Sequence, residues 1–307
     1  MENKLHIAVS PHIRSSVTTR SVMRDVLIAL APAVVAGSVI FGLRSLLVLA
    51  VCVAVCVGTE FVWNLIIKKE QTVGDLSAAV TGVILGLNLF AKTPLWQAAV
   101  GSLFAILVVK CFFGGIGCNI VNPAVTARVF MLVAFSSMTK AAAPVSDTAS
   151  GATPLVELAN GNTVAFKDLL LGTTGGTIGE TCAVALLIGF IYLLVRKVIS
   201  WHIPVTMCLT VFVLSFLLGG FDATFAASQV LSGGLLLGAV FMATDYVTSP
   251  SSSWGKVVFA AGAGIITVII RFYGNYPEGV SFSILLMNIL EPYISSLTAK
   301  KVFGGAR

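Results

Sequence analysis

Between residues 25 and 297 the chain reads as ten apolar runs (25–43, 45–67, 76–90, 95–113, 121–137, 177–198, 203–218, 228–244, 254–272 and 280–297), divided by polar, glycine- or proline-bearing breaks. Runs of this kind point to one solvent: a helix of ~20 apolar residues crosses a ~30 Å hydrocarbon core with its own backbone groups paired. Composition removes the alternative, because 19 basic and 13 acidic residues in 307 cannot coat a soluble surface, where about 25% of residues are ordinarily charged. The fold class expected is an all-α polytopic membrane protein of about ten transmembrane helices, with the lipid bilayer as its surroundings and no nucleic-acid partner. The third, fifth, seventh and eighth runs are short and are expected to stand upright or to break inside the bundle. A basic tail without a small-residue cleavage site precedes the first run, which is therefore expected to remain as a span.

With the N-terminus inside, thirteen basic residues fall on inner segments and five on outer ones, Arg128 lying within the fifth run. That bias predicts both termini in the cytoplasm. Thr81-Gly82-Val83-Ile84-Leu85-Gly86 matches Gly233-Gly234-Leu235-Leu236-Leu237-Gly238 at an offset of 152, half the chain. The two stretches occupy equivalent runs in halves of five, and because five is odd the second half must enter the membrane upside down. The expected organisation is a cytoplasmic tail (1–24), a first five-helix repeat (25–137), an outward-facing loop (138–176), a second, inverted repeat (177–298) and a C-terminal cytoplasmic tail (299–307). The glycine pairs Gly82/Gly86 and Gly234/Gly238 are expected to face each other across the bundle centre. Thr72-Val73-Gly74-Asp75 and Thr177-Ile178-Gly179-Glu180 read as capping boxes that start helices.

Side chains that could carry chemistry are few. Cys52, Cys56, Cys111, Cys182 and Cys208 lie in apolar runs and are expected to pack as small hydrophobes, while Cys118 stands alone without metal-ligand spacing. No metal site is expected. Glu60, late in the second run, is a candidate for pairing with a base or for an ion path. Asp75, Asp245, Glu291, Lys110, Arg128 and Arg271 are expected to act as interfacial anchors or structural pairs. The outward loop differs, being long and without apolar period, with Asp147-Thr148-Ala149-Ser150-Gly151-Ala152-Thr153-Pro154 at its centre. Ser150, Gly151 and Ala152 add little bulk beside the Thr153 hydroxyl, and Pro154 biases Thr153 toward an extended backbone. Taken alone, these residues present an accessible hydroxyl on a thin strap, open to a bulky modification or simply a surface loop.

Asp147 upstream of Ser150-Gly151-Ala152-Thr153 resembles the flavinylation motif of the family that unites the D subunits of Rnf electron-transport complexes with the B subunits of sodium-pumping NADH:quinone reductases. Further matching stretches are Ser10-Pro11-His12, Gly114-Gly115-Ile116-Gly117-Cys118-Asn119 with Asn122-Pro123-Ala124, Gly175-Gly176-Thr177-Ile178-Gly179-Glu180-Thr181, Phe241-Met242-Ala243-Thr244-Asp245 and Tyr276-Pro277-Glu278-Gly279. Tyr246 departs from the family's usual Asp-Pro dipeptide after Ala-Thr. The resemblance implies FMN joined to Thr153 through a phosphoester, with Asp147, Ser150, Gly151 and Ala152 completing the cofactor-binding motif. A separate flavin transferase, using FAD and a divalent metal, would install it. A second, noncovalent riboflavin and a urea-channel-like inverted fold are implied as well, in a bacterial cytoplasmic (inner) membrane. Lacking the N-terminal extension of the reductase subunits, the chain is expected on the Rnf side of the family.

The function these implications add up to is a flavin-carrying membrane subunit of a redox-driven Na+ or H+ pump, linking electron transfer between ferredoxin and NAD+ to ion movement. The flavin supplies the redox chemistry and the protein positions and tunes it. No nicotinamide fingerprint or iron–sulfur cysteine set is present in the sequence, so no catalytic residue is assigned and the chain is expected to work only with other subunits. A passive channel or transporter for a small neutral solute or ammonium is the competing expectation from the inverted repeat and the short, glycine-rich runs. It predicts solute flux and no covalent flavin.

Overall fold

The computed structural model describes residues 17–135, 153–160, 164–274 and 278–299, and the regular structure within them is entirely helical. α1 (Thr19–Phe41) opens on a capping box: the Ser21 N–H donates to Thr18 Oγ1 at 3.2 Å and the Thr18 N–H to Ser21 Oγ at 3.1 Å. It turns straight into α2 (Leu43–Ile67) at Gly42, where φ of 74° suits only a residue without Cβ. α3 (Ser77–Leu87), α4 (Leu95–Leu103, continued by a π-helical stretch Phe104–Cys111) and α5 (Pro123–Ala134) follow. Two short helices, α6 (Pro154–Ala159) and α7 (Phe166–Leu171), precede α8 (Ala183–Val195) and α9 (His202–Leu218). α10 (Ala223–Leu231), α11 (Leu235–Leu237, continued by a π-helical turn Gly238–Met242), α12 (Ser253–Tyr273) and α13 (Val280–Thr298) complete the described chain.

Every one of the ten apolar runs therefore contains a helix or a bent helix pair. α1, α2, α12 and α13 are long and apolar enough to cross a membrane, and α10 with α11 makes a fifth candidate bent by 61° at Ser232–Gly234. The others are shorter apolar helices. The chain is a multi-pass membrane protein, with large apolar side chains such as Val39, Leu43 and Leu297 left on its periphery for lipid to cover.

Several expectations are corrected. The outer connection is not free of regular structure, since α6 and α7 lie within it. Thr72 precedes a single 3-10 turn (Val73–Asp75) but makes no side-chain cap bond; its hydroxyl donates to Glu60 Oε1 at 2.7 Å, and Asp75 Oδ1 takes the Ser77 N–H at 2.7 Å at the start of α3. Thr177 likewise donates its hydroxyl to Glu180 Oε2, and the helix begins only at Ala183. The paired glycines do not face each other. A Cβ on Gly82 would stand 2.7 Å from Val53 Cα and one on Gly86 2.9 Å from Leu49 Cδ2, whereas Gly238 is pressed to Val280 Cγ1. They let α3 lie close on α2 and α11 close on α13, the ordinary use of small residues between membrane helices.

What meets at the centre is the ends of the broken helices. Asn88, just past α3, donates from Nδ2 to Met242 Sδ at 3.5 Å, and Asn122 donates to the Met242 carbonyl at 3.1 Å while capping α5 through the Ala124 and Val125 N–H groups. The Ile178 and Gly179 N–H groups donate to the Leu89 and Leu87 carbonyls at 2.9 and 2.8 Å. These contacts satisfy backbone that has left a helix inside an apolar bundle, where water cannot, and they join residues of the first five runs to residues of the last five.

Candidate functional site

The short helix α6 starts at Thr153, whose extended backbone (φ −76°, ψ 153°) follows from the proline after it. An N-cap threonine ordinarily spends its hydroxyl on the first turn. Thr153 does not: it makes no cap bond, it is only 7% exposed, and its Oγ1 is shielded from solvent without any hydrogen-bond partner. The expectation of an accessible hydroxyl on a thin strap is thereby corrected, because α6 folds down against the bundle and its Leu155 and Leu158 are buried. Asp147, Ser150, Gly151 and Ala152 lie outside the described residues.

α6 is held down by the break in the eighth run. Gly233 and Gly234 have φ of 69° and 68°, and a Cβ on Gly233 would collide with Leu155 and stand 2.8 Å from Arg271 Nη2. Arg271 donates from Nη1 to the Gln229 carbonyl at 2.6 Å and from Nη2 to the Ser232 carbonyl at 2.9 Å, placing its charge against the C-terminal carbonyls of α10. Pro154, Glu180, Thr181, Ser232 and Gly233 line one small void. Glu180 Oε2 would stand 3.4 Å from a Cβ on Gly234. Nearby, the fully buried Arg128 pairs with Glu278 at 2.6 Å and lies over the Phe90 ring, 5.5 Å from its centroid. Arg128 thus takes the pairing half of its expectation, while Arg271 is half-buried and held by carbonyls.

Seven buried polar side-chain atoms among the described residues lack a partner, and five of them belong to Thr153, Thr181, Arg128 and Arg271. Buried polar groups are rarely left so. The unspent Thr153 hydroxyl is the oxygen that a phosphoester would use, so the residue present fits that attachment. Sequence reading missed Arg271, Glu180 and Glu278 as a set. The signal was there in the stretches Gly175–Thr181 and Tyr276–Gly279, whose described parts converge here.

A second site lies at the other end of the bundle. A cavity of about 370 Å³ is walled mainly by apolar side chains of α1, α3 and the π-helical turn, with Asn119, Asn122, Thr81 and Asp245 among its polar groups. Burial raises the Asp245 carboxyl above its ordinary range against the opposing pull of the Val247 N–H and the Thr248 hydroxyl. The stretches around Asn119 and around Phe241–Asp245 meet in its wall. Tyr246, where the family pattern is broken, ties this corner down by donating its hydroxyl to the Val198 carbonyl. Lys110, on the cavity rim, takes the pairing half of its expectation and not the interfacial one. Its ammonium lies 2.9 Å from Glu60 Oε1 and donates to Ser77 Oγ at 2.6 Å, both charged side chains being at most 4% exposed. Asp25 pairs with Arg196 at 3.1 Å, joining α1 to the end of α8.

The sequence profile of the NQR2, RnfD, RnfE family matches residues 6–304. The chain is 46% identical over 310 residues to the D subunit of the Na+-translocating ferredoxin:NAD+ oxidoreductase complex of Acetobacterium woodii, covering 99% of this chain and 96% of that one. It is 38% identical over 324 residues to the D subunit of the proton-translocating ferredoxin:NAD+ oxidoreductase complex of Clostridium ljungdahlii, covering 100% and 98%. The D subunit of the ion-translocating oxidoreductase complex of Halorhodospira halophila is 34% identical, with 98% of this chain and 96% of that one covered.

Proposed function

The chain belongs to the NQR2, RnfD, RnfE family, and on that premise we propose that it is the flavin-carrying D-type membrane subunit of a redox-driven pump that couples electron transfer between ferredoxin and NAD+ to translocation of Na+ or H+. The observation that supports the flavin is the Thr153 hydroxyl, buried and without partner at the position the motif names. FMN esterified there would supply electron transfer in single steps or pairs. The chain's own part is mechanical and electrostatic: α6 fixes the attachment point against Gly233, and the packed helices keep bulk water from it. Ferredoxin and NAD+ meet other subunits, and the flavin arrives from a separate transferase. The noncovalent riboflavin is assigned to the 370 Å³ cavity, whose apolar wall and few converging polar groups suit a flat heterocycle.

In this reading ten spans form two inverted halves of five. Support comes from the ten helical runs, from the helix breaks near Leu87 and Ser232, and from the pairing of Asn88 with Met242. Both termini face the cytoplasm of a bacterial inner membrane and α6 faces outward. Asp222, exposed in the connection between α9 and α10, then lies outside. Asp222→Cys should react with an impermeant thiol reagent in intact cells once the native thiols are controlled for, and labelling only after the inner face is opened would reverse the topology.

The whole reading is tested in proteoliposomes that hold the assembled complex. Reduced ferredoxin and NAD+ should drive uptake of Na+ or H+ only when this chain is present. Solute flux through the chain alone, with redox-driven uptake unaffected by its removal, would favour the channel instead.

A further inference from the structure

Where α8 ends and α9 and α12 begin, the second half of the bundle gathers cations. Arg196 is spent on Asp25, but Lys197 and Lys256 have no carboxylate at ion-pair distance among the described residues, where the three ion pairs belong to Lys110, Arg128 and Arg196. Lys256 donates to the neutral Ser200 hydroxyl at 3.1 Å. Both lysines line a pocket of about 430 Å³ with Ser200, Trp201 and Tyr246, and none of its described lining residues is acidic. Lys197, Ser200, Trp201 and Lys256 take no part in the cavity assigned to riboflavin. Next to this pocket, α8, α9 and the broken pair of α10 and α11 leave a groove of about 470 Å³ walled by apolar side chains, Leu187, Phe212 and the exposed Val205 and Leu209 among them. Three elements lead from groove to pocket in a single turn each: Phe190 to Leu194 on α8, Val205 to Trp201 at the head of α9, and Val240 to Thr244, whose hydroxyl donates to the Val240 carbonyl at 2.6 Å. Residues four apart share a helix face, so the cationic pocket and the apolar groove are two parts of one surface.

We infer that this surface binds one anionic phospholipid, its phosphate received by Lys197 and Lys256 and an acyl chain laid in the groove. The Ser200 hydroxyl accepts from Lys256 and keeps its own proton to donate to a phosphate oxygen. Trp201, exposed at this level, is the side chain that marks the boundary between hydrocarbon and headgroups, and a basic pocket between membrane helices is the setting that anionic headgroups seek. A helix from another subunit, about 10–12 Å across with its side chains, is too broad for a cleft of this volume, whereas a flexible chain fills it. In the proposed orientation the lipid belongs to the cytoplasmic leaflet. The inference rests on the chain being a membrane protein and is independent of the flavin on Thr153.

The full chain, purified in detergent and freed of lipid, is titrated with dioleoylphosphatidylglycerol or dioleoylphosphatidylcholine, and bound lipid is counted by mass spectrometry of the intact protein. One phosphatidylglycerol should bind in preference to phosphatidylcholine, by about thirtyfold at low salt for two lysines at a membrane surface. Lys197→Gln combined with Lys256→Gln should bring the two lipids level and leave phosphatidylcholine binding as it was. Should the double variant fail to accumulate, each single variant decides, by losing part of the preference. Equal affinity for both lipids in the wild type, or an undiminished preference in the variants, would overturn the inference. Glycerol phosphate, a phosphate without chains, separates headgroup from lipid: it should compete only weakly, and competition as strong as that of the whole lipid would remove the groove from the site and overturn the inference too. In the assembled complex, a photoactivatable amino acid replacing Leu209 should capture phospholipid. Capture of another subunit there would give the groove to protein and contradict the assignment.

Discussion

Thr153→Val, co-expressed with the flavin transferase, should lose its covalent flavin entirely, seen as loss of in-gel fluorescence of the denatured chain, while the helical bundle assembles as before. A phosphoester needs an oxygen nucleophile, and valine keeps the shape of threonine without one. The cost to folding is small for a reason visible at the site. Thr153 Oγ1 makes no hydrogen bond, so its replacement by a methyl leaves no partner unsatisfied and removes a desolvated polar atom. Ion translocation by the assembled complex should disappear together with the flavin. A variant that keeps its fluorescence would show that the attachment point lies elsewhere.

The second large effect is expected at Lys110. Removing one partner of a buried ion pair strands the other, at a cost of about 3–5 kcal/mol, and the Glu60–Lys110 pair is nearly solvent-free. Lys110→Met should therefore lower stability in detergent severely and reduce the amount of assembled protein. Adding Glu60→Gln to it should restore most of the loss, because the amide oxygen can still accept from the Thr72 hydroxyl that now meets Glu60 Oε1. If Lys110→Met and the double variant were equally unstable, the pair would not be the source of the effect. The double variant also separates structure from transport. An ion path through Glu60 predicts a restored fold with redox-driven uptake still lost, whereas a purely structural pair predicts both restored.

The contrast between these two sites shows what a sequence of this kind makes legible. Helix positions came through because apolar length and glycine or proline breaks are local properties, and the break at Ser232–Gly234 was foreshadowed by adjacent glycines in a short run. Thr153 was legible as a motif, but not as a buried residue, since its burial depends on Leu155 meeting Gly233 some eighty positions away. Lys110, near the end of an apolar run, reads equally as an interfacial anchor or as half of a pair, and only the fold brings Glu60 to its side, fifty residues apart in the chain. The glycine pairs misled for a related reason. A small residue announces that some backbone comes close, and only the packing says whether that backbone belongs to α2, to α13 or to the opposite half.

The central claim is that this chain carries FMN on Thr153, and peptide-mapped mass spectrometry of the wild-type protein made with its transferase tests it most directly. The expected result is a mass increment of one FMN less one water on the peptide that contains Thr153, absent when the transferase is omitted. An unmodified Thr153 peptide from protein that supports full redox-driven ion uptake would contradict it.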